Sequence, residues 1–256
     1  MSEMGVQPVT APAGAGLTQW QRVAYTFTAP SKTFEDIKRG NKSWWLPFVI
    51  TLLCGTFLWY SIGRQVTWQG VFENNQRNLP EFAQRMQDNM TPEQKARQEQ
   101  VGPISQQVIW AIAPLGLLLL DVIVAAILLA TINFGFGGKA SFSSIFAVTQ
   151  YAGLVCWPIK LLLGAVALYA GLAPEAFDPK NPAGTNLGYY LPQQDTPKVL
   201  YVLATNVDAL AIWCMVLTAI GVAVVAGTKR SSGYMSVFGW WVIVLLFSVG
   251  MAAAFM

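Results

Sequence analysis

The chain has 256 residues, 54% hydrophobic and 11% charged, with 16 basic and 13 acidic side chains and no histidine. A mean hydropathy of +0.43 lies outside the balance of an ordinary water-soluble domain, and the lack of histidine excludes Ser-His and Cys-His nucleophilic pairs and histidine metal sites. The net charge of +3, scattered along the chain, excludes a nucleic-acid surface.

Residues 1–16 are rich in Pro, Gly, Ala and Thr and read as a mobile tail. From Leu17 the pattern changes. Leu17, Trp20, Val23, Ala24 and Phe27 recur at helical spacing, with Gln19, Gln21, Arg22 and Thr26 opposite, which predicts a short amphipathic helix. Pro30 starts a second one: Phe34 and Ile37 are apolar, Glu35 and Asp36 precede Lys38 and Arg39, and Gly40 follows. Both pieces, within 17–43, are expected on the membrane surface. There Trp20, Phe27, Trp44 and Trp45 serve as interfacial anchors while the basic residues meet anionic lipid. A plain juxtamembrane anchor is the simpler reading, a binding role the sharper one. Nothing at the N-terminus has the form of a cleaved signal, so the first apolar run is expected to act as the insertion signal.

Five apolar runs follow, at 44–63, 108–134, 145–171, 205–227 and 234–256. Each reaches the roughly 20 residues that a helix needs to cross a hydrocarbon core of about 30 Å. The prediction is an all-α integral membrane protein, a bundle of five transmembrane helices with interfacial N-terminal amphipathic helices. The polar stretch 64–107 carries five basic and five acidic side chains. Within it, Thr91-Pro92-Glu93-Gln94 predicts a capped helix to about Gly102, and a second helix is expected from Pro80 to Met90. Gly135-Phe136-Gly137-Gly138 lacks the strand-to-helix setting of a phosphate cradle and reads as a tight turn. The stretch 172–204, with Pro174, Pro179, Pro182, Pro192 and Pro197, reads as an extended, irregular cap.

The cysteines, Cys54, Cys156 and Cys214, fall in three different apolar runs without CxxC spacing and behave as small hydrophobes. No disulfide, metal or cofactor is expected. With the N-terminus inside, the short inner segments carry eight Lys and Arg and a net charge of +5, against seven and −1 on the longer outer ones. That asymmetry favours a cytoplasmic N-terminus and an outer C-terminus.

The five runs contain three ionisable side chains: Asp121, Lys160 and Asp208. Each costs about 2.5–3.5 kcal/mol on insertion scales if left alone. In an antiparallel pair of spans two and three, Asp121 and Lys160 fall at similar depth, so an ion pair between them is expected. Asp208 is expected nearer the outer face, satisfied by Asn206, Thr205 or interfacial water. Asn133, Thr149 and Gln150 add polar atoms near the inner surface. On a structural reading the buried pair fixes helix register. On a transport reading Pro114 and Trp157-Pro158 interrupt helices beside charges and mark a small transporter or channel lined by Asp121, Lys160 and Asp208. Small residues four apart, at Ala126/Ala130, Ala167/Gly171, Ala219/Ala223/Gly227 and Gly250/Ala254, allow close helix approach within or between subunits.

The stretch Phe27-Thr28-Ala29-Pro30-Ser31-Lys32-Thr33-Phe34-Glu35-Asp36-Ile37, followed by Trp45-Leu46-Pro47, resembles the opening of Yip1-domain membrane proteins. Gly137-Gly138-Lys139-Ala140-Ser141-Phe142, then Ala147 and Tyr151-Ala152, resembles that family's glycine-rich loop and the segment after it. The resemblance implies a small five-span membrane protein with a cytosolic N-terminus and no enzyme activity. In eukaryotes such proteins serve vesicle trafficking and associate with Rab GTPases and with each other. This chain lacks the acidic N-terminal region and its Asp-Leu-Tyr-Gly-Pro motif, and its 64–107 loop is long. In those respects it resembles the prokaryotic branch, which places it in a cytoplasmic membrane and carries over no Rab binding. The implied role is membrane organisation or recruitment of a partner, with the bilayer, a second copy or other membrane proteins as partners.

Overall fold

A computed structural model describes residues 16–77, 79, 81–178, 181–192 and 195–254. Apart from Gly16, the expected tail at 1–16 lies outside the described residues. The chain order is α1 (Gln19–Thr28), α2 (Pro30–Lys38), α3 (Trp45–Gln65), α4 (Trp68–Arg77), α5 (Glu81–Asp88), α6 (Pro92–Ala130), α7 (Phe142–Gly153), α8 (Trp157–Tyr169), α9 (Lys198–Asn206), α10 (Ala209–Ala226) and α11 (Arg230–Ala254). Five segments are long and apolar enough to cross a bilayer: Trp45–Gln65, Pro92–Gly135, Phe142–Tyr169, Ala209–Ala226 and Arg230–Ala254. The fold is an all-α bundle of five spans, as the apolar runs predict.

Several boundaries differ from the pattern for physical reasons. The capping box at Thr91 and Gln94 is formed, but the helix it opens does not stop near Gly102. It continues through Pro103 and Pro114 to Ala130, because α4 packs against this turn: a Cβ on Gly102 would stand 2.3 Å from the Phe72 ring. Asn75 donates to Gln106 at 3.1 Å and the Trp59 indole to the Gln107 carbonyl at 3.2 Å. Span three is two helices, α7 and α8, separated at 154–156, just before a proline that cannot donate to the preceding turn. The 172–204 stretch is not only an irregular cap. Its last part is helical as α9, and the chain breaks again at Val207 and Asp208 before α10.

α10 is the centre of the bundle, packed against α11, α2 and α7. Its glycine and its facing residues set the spacing: a Cβ on Gly221 would lie 2.4 Å from Val148 and 3.0 Å from Phe34. On the α11 side, a Cβ on Gly233 would lie 2.1 Å from the Ala219 carbonyl oxygen and 3.0 Å from Ala223. Ala219 and Ala223 of the predicted small-residue face are therefore used inside the subunit. The glycine-rich turn returns the chain from α6 to α7. Gly137 takes φ +69, and the Gly138 and Lys139 amides donate to the Ile132 and Ala226 carbonyls at 2.9 and 3.1 Å.

The N-terminal helices are built into the bundle. Phe34 and Ile37 of α2 are fully buried in the main core beside Ile145, Tyr151 and Val222. α1 is turned with its polar side inward: Arg22 and Thr26 are fully buried while Trp20 is 67% exposed. Arg22 lies 3.6 Å from Asp36, donates to the Asn41 and Ser43 carbonyls at 2.8 and 3.2 Å, and stacks over the Tyr151 ring. Asp36 also accepts from the Leu17 amide at 3.0 Å and from Asn41 at 3.1 Å. The Tyr151 hydroxyl donates to Gln19 at 2.7 Å.

Two outcomes follow from this packing. Gly233→Ala, whose methyl meets backbone, lowers stability in detergent by about 1–3 kcal/mol, whereas Gly250→Ala, with nothing within 4 Å, leaves the melting temperature unchanged. Asp36→Ala strands the buried Arg22 charge at a local cost of about 3–5 kcal/mol, read as faster hydrogen exchange over residues 19–43 with the spans still protected.

Candidate functional site

The two helix breaks come together. Lys160 lies one turn past the break in span three, and Asp208 caps the first turn of α10 by accepting from the Ala211 amide at 2.8 Å. Lys160 Nζ is 2.7 Å from the Asp208 carboxylate. The third partner comes from the proline-rich segment, which folds back into the bundle. Its Thr185 hydroxyl donates to Asp208 at 2.7 Å, Asn186 forms an isolated antiparallel bridge with Asp208, and the Thr185 carbonyl accepts from Ala209 at 3.0 Å. Leu187 donates to the Val207 carbonyl at 3.2 Å. The backbone groups freed by the break are thus satisfied by this returning segment, the condition for non-helical backbone at membrane depth. Pro182 lies against Gly164 of α8, where a Cβ would come within 3.0 Å of it.

The expected pairing of Asp121 with Lys160 is not what forms. Lys160 takes Asp208, and Asp121 accepts from Gln150 of α7 at 2.9 Å. Counting along the helices explains the choice. Lys160 stands 18 residues after Phe142 and Asp208 18 residues before Ala226, so both lie about 27 Å from the end that carries α1 and α2. Asp121 stands 14 residues before Gly135, about 21 Å from that end. Nor do Asn206 and Thr205 serve Asp208: their side chains donate to the Val202 carbonyl at 2.8 and 3.0 Å.

Beside the pair, a cleft of about 700 Å³ opens between α6 on one side and α8, α9 and the returning segment on the other. Trp110, Leu117, Leu120 and Leu161 give it apolar walls, and Asp178, Asn181 and Tyr201 line it with Lys160 and Asp208. Burial raises the Tyr201 hydroxyl above the usual tyrosine range, and the neighbouring Asp178 charge adds to the rise while a hydrogen bond with Asn181 opposes it. Around Asp121 and Gln150 the free space is only about 10 Å³, the scale of a single water. Asp121 does not line the 700 Å³ cleft.

Of the four predicted anchors, Trp44 and Trp45 lie at the start of α3, toward the opposite end of the bundle, whereas Phe27 reaches Trp213 on α10, five residues past Asp208. Trp20 and Trp45 are 67% and 54% exposed. Phe27 stacks edge-on against Trp213 at 6.0 Å, and Trp44 packs between Phe48 and Phe146. Sequence reasoning missed Arg22, Asp36 and Tyr151, which it placed on a polar face, in a helix dipole and in a span.

A thermal-stability cycle in detergent separates these pairings. Lys160→Gln and Asp208→Asn each destabilise by about 1–3 kcal/mol, below the 3–5 of a fully enclosed pair because Lys160 keeps part of its side chain at the cleft. The double variant recovers part of the loss, while Lys160→Gln and Asp121→Asn combine additively.

Comparison with known families matches the Yip1 domain over residues 24–252. Comparisons with curated proteins and with solved structures found no match. The match takes in every span, both N-terminal helices from Ala24 onward, the glycine-rich turn and the cleft. With five apolar helices and a family match over nearly its whole length, the chain belongs to the Yip1 domain family of multi-pass integral membrane proteins.

Proposed function

We propose that the chain acts without catalysis, organising the membrane or recruiting a partner at the end that carries α1 and α2. One observation carries this reading: α1 turns Arg22 and Thr26 inward, so that Trp20 faces outward with Trp45, and Phe27 stays partly exposed beside Trp213. A helix that buries an arginine and exposes a tryptophan is positioned for an apolar partner outside the subunit, either the headgroup boundary or another membrane protein, including a second copy. Lys32, Lys38, Arg39 and Lys42 lie on α2 and the following turn, Lys139 and Lys229 on turns at the same end, and Arg230 at the start of α11. That basic rim suits the anionic cytoplasmic leaflet and supports a cytoplasmic N-terminus. The Yip1 domain family is not known as enzymatic, which agrees with a binding role.

The buried charges support the same reading from the other direction. Asp208 and Lys160 hold two broken helices and a returning segment together, and Asp121 holds α6 to α7. Each has a structural task.

The test places a photo-reactive side chain at position 20 or 27 in growing cells and measures solute flux in reconstituted vesicles. Discrete lipid or protein adducts at these positions, with no flux above protein-free vesicles, are the expected result. Absence of adducts at both positions, or a flux removed by Asp208→Asn, overturns the proposal.

A further inference from the structure

At the turn between α10 and α11, three segments far apart in the chain bring basic side chains together. α10 ends at Gly227, which takes the left-handed conformation at φ +69, and Thr228 and Lys229 lead to Arg230 at the start of α11. The glycine-rich turn after α6 is bonded to this one: the Lys139 amide donates to the Ala226 carbonyl at 3.1 Å, and a Cβ on Gly138 would stand 3.0 Å from the Ala226 methyl. Lys38 of α2 reaches the same place, with its Nζ 3.8 Å from where a Cβ on Gly227 would stand. Lys38, Lys139, Lys229 and Arg230 are all exposed.

Little acidic charge offsets them. Residues 131–141 and 223–235 contain no Asp or Glu. On α2, Asp36 is buried with Arg22, which leaves Glu35 as the exposed carboxylate of that helix. Among the described residues, none of the four cations has a carboxylate partner, and the Thr228 hydroxyl in the middle of the turn makes no hydrogen bond. Like charges gathered without counter-charges repel one another, and an anion that bridges them removes that cost.

The position of the cluster identifies the anion. Both turns join membrane spans, so their cations stand at the level of lipid headgroups. Apolar surface lies bare close by. Phe134, five residues before Lys139, is 92% exposed, and Met235, five residues after Arg230, is 63% exposed. The two helices that carry them meet where the Trp240 indole donates to the Thr131 hydroxyl at 2.8 Å. Phosphate over the turns and hydrocarbon along Phe134 and Met235 is the outline of a phospholipid. Lysines meet phosphate as point charges, and cations supplied by three segments offer more than one phosphate position. A headgroup with two phosphates engages them together, whereas a single phosphate engages only part of the cluster.

We propose that Lys38, the Lys139 turn and the turn between α10 and α11 form a binding site for an anionic phospholipid with two phosphate groups. Lys38, Lys139 and Lys229 meet the phosphates, and acyl chains lie along Phe134 and Met235. The site deepens the reading of the basic rim given above and rests on that end of the bundle meeting the headgroup layer.

The experiment melts the purified full-length protein in detergent while cardiolipin, phosphatidylglycerol or phosphatidylcholine is titrated in at matched phosphate. The expected result is a saturable rise in Tm that cardiolipin reaches at a concentration roughly tenfold below phosphatidylglycerol, and that phosphatidylcholine does not produce. Pyrophosphate, with the charge but no chain, gives no such rise. The double variant Lys139→Gln with Lys229→Gln, at exposed positions, keeps the lipid-free Tm and loses the cardiolipin advantage. Lys95→Gln with Arg97→Gln, which removes the same charge from the start of α6, keeps it. A wild type that responds equally to cardiolipin and phosphatidylglycerol, an advantage that survives in the Lys139 and Lys229 variant or is lost as fully in the Lys95 and Arg97 one, or a pyrophosphate rise equal to that of cardiolipin would each overturn the proposal. Adducts at position 20 without a cardiolipin preference overturn this site and leave the α1 reading standing, and a cardiolipin preference without adducts does the reverse.

Discussion

Inside a bilayer the chain must satisfy its own backbone and its own charges, and the break at Val207 and Asp208 is where this chain meets that requirement most fully. One carboxylate caps α10 through Ala211, pairs with Lys160 from α8 and accepts from Thr185 of a segment that would otherwise lie outside the bundle. The rest of that end follows from it. Bonds from Leu187 and Ala209 draw the returning segment inward, and Asn74 of α4 accepts that segment's lead by donating to the Pro174 and Phe177 carbonyls at 2.8 and 3.0 Å. Phe177 then fills a second core with Leu58, Ile62 and Val71. Asp208 thereby ties α8, α10 and the returning segment together, and Asn74 adds α4 to the unit.

The opposite end is organised by a second buried pair with the same logic. Arg22 and Asp36 are costly to bury unless each finds partners, and they find them in the Asn41 and Ser43 carbonyls, the Leu17 amide and the Tyr151 ring. The geometry makes α1 and α2 part of the core: Phe34 lies against Gly221 of α10. At the same end the bundle is drawn close by small-residue contact, α10 against α11 at Gly233 and against α7 at Gly221. Along α6 and α11, by contrast, large apolar side chains such as Leu115, Leu246 and Phe247 remain outside, at 63%, 65% and 69% exposure, as lipid-facing helices require.

Much of this is legible in the residues because the physics involved is local. The runs at 44–63 and 234–256 declare themselves by length and apolarity alone, the Thr91 capping box needs only four residues, and the glycine turn after α6 needs only the backbone freedom of Gly137. The breaks are partly legible too, since Pro158 announces one of them. The partner of Lys160 was available by counting residues from the turns, which puts it level with Asp208, yet depth alone does not say which face of a helix looks at which neighbour. Asp121 sits on a face directed at Gln150, and no periodicity within α6 states that α7 is what lies there.

Residue order alone settles the membrane class, the number of spans, the capped start of α6 and the ionisable residues that must find partners, because hydropathy, helix length and capping act over neighbouring residues. Only the tertiary structure decided which charges pair, that α1 turns its arginine inward and its tryptophan outward, that a proline-rich segment returns to close a broken helix, and that a cleft remains beside α6. Those outcomes depend on the rotation of each helix about its own axis and on contacts between residues far apart in the chain. They are fixed by mutual packing, which no single segment encodes.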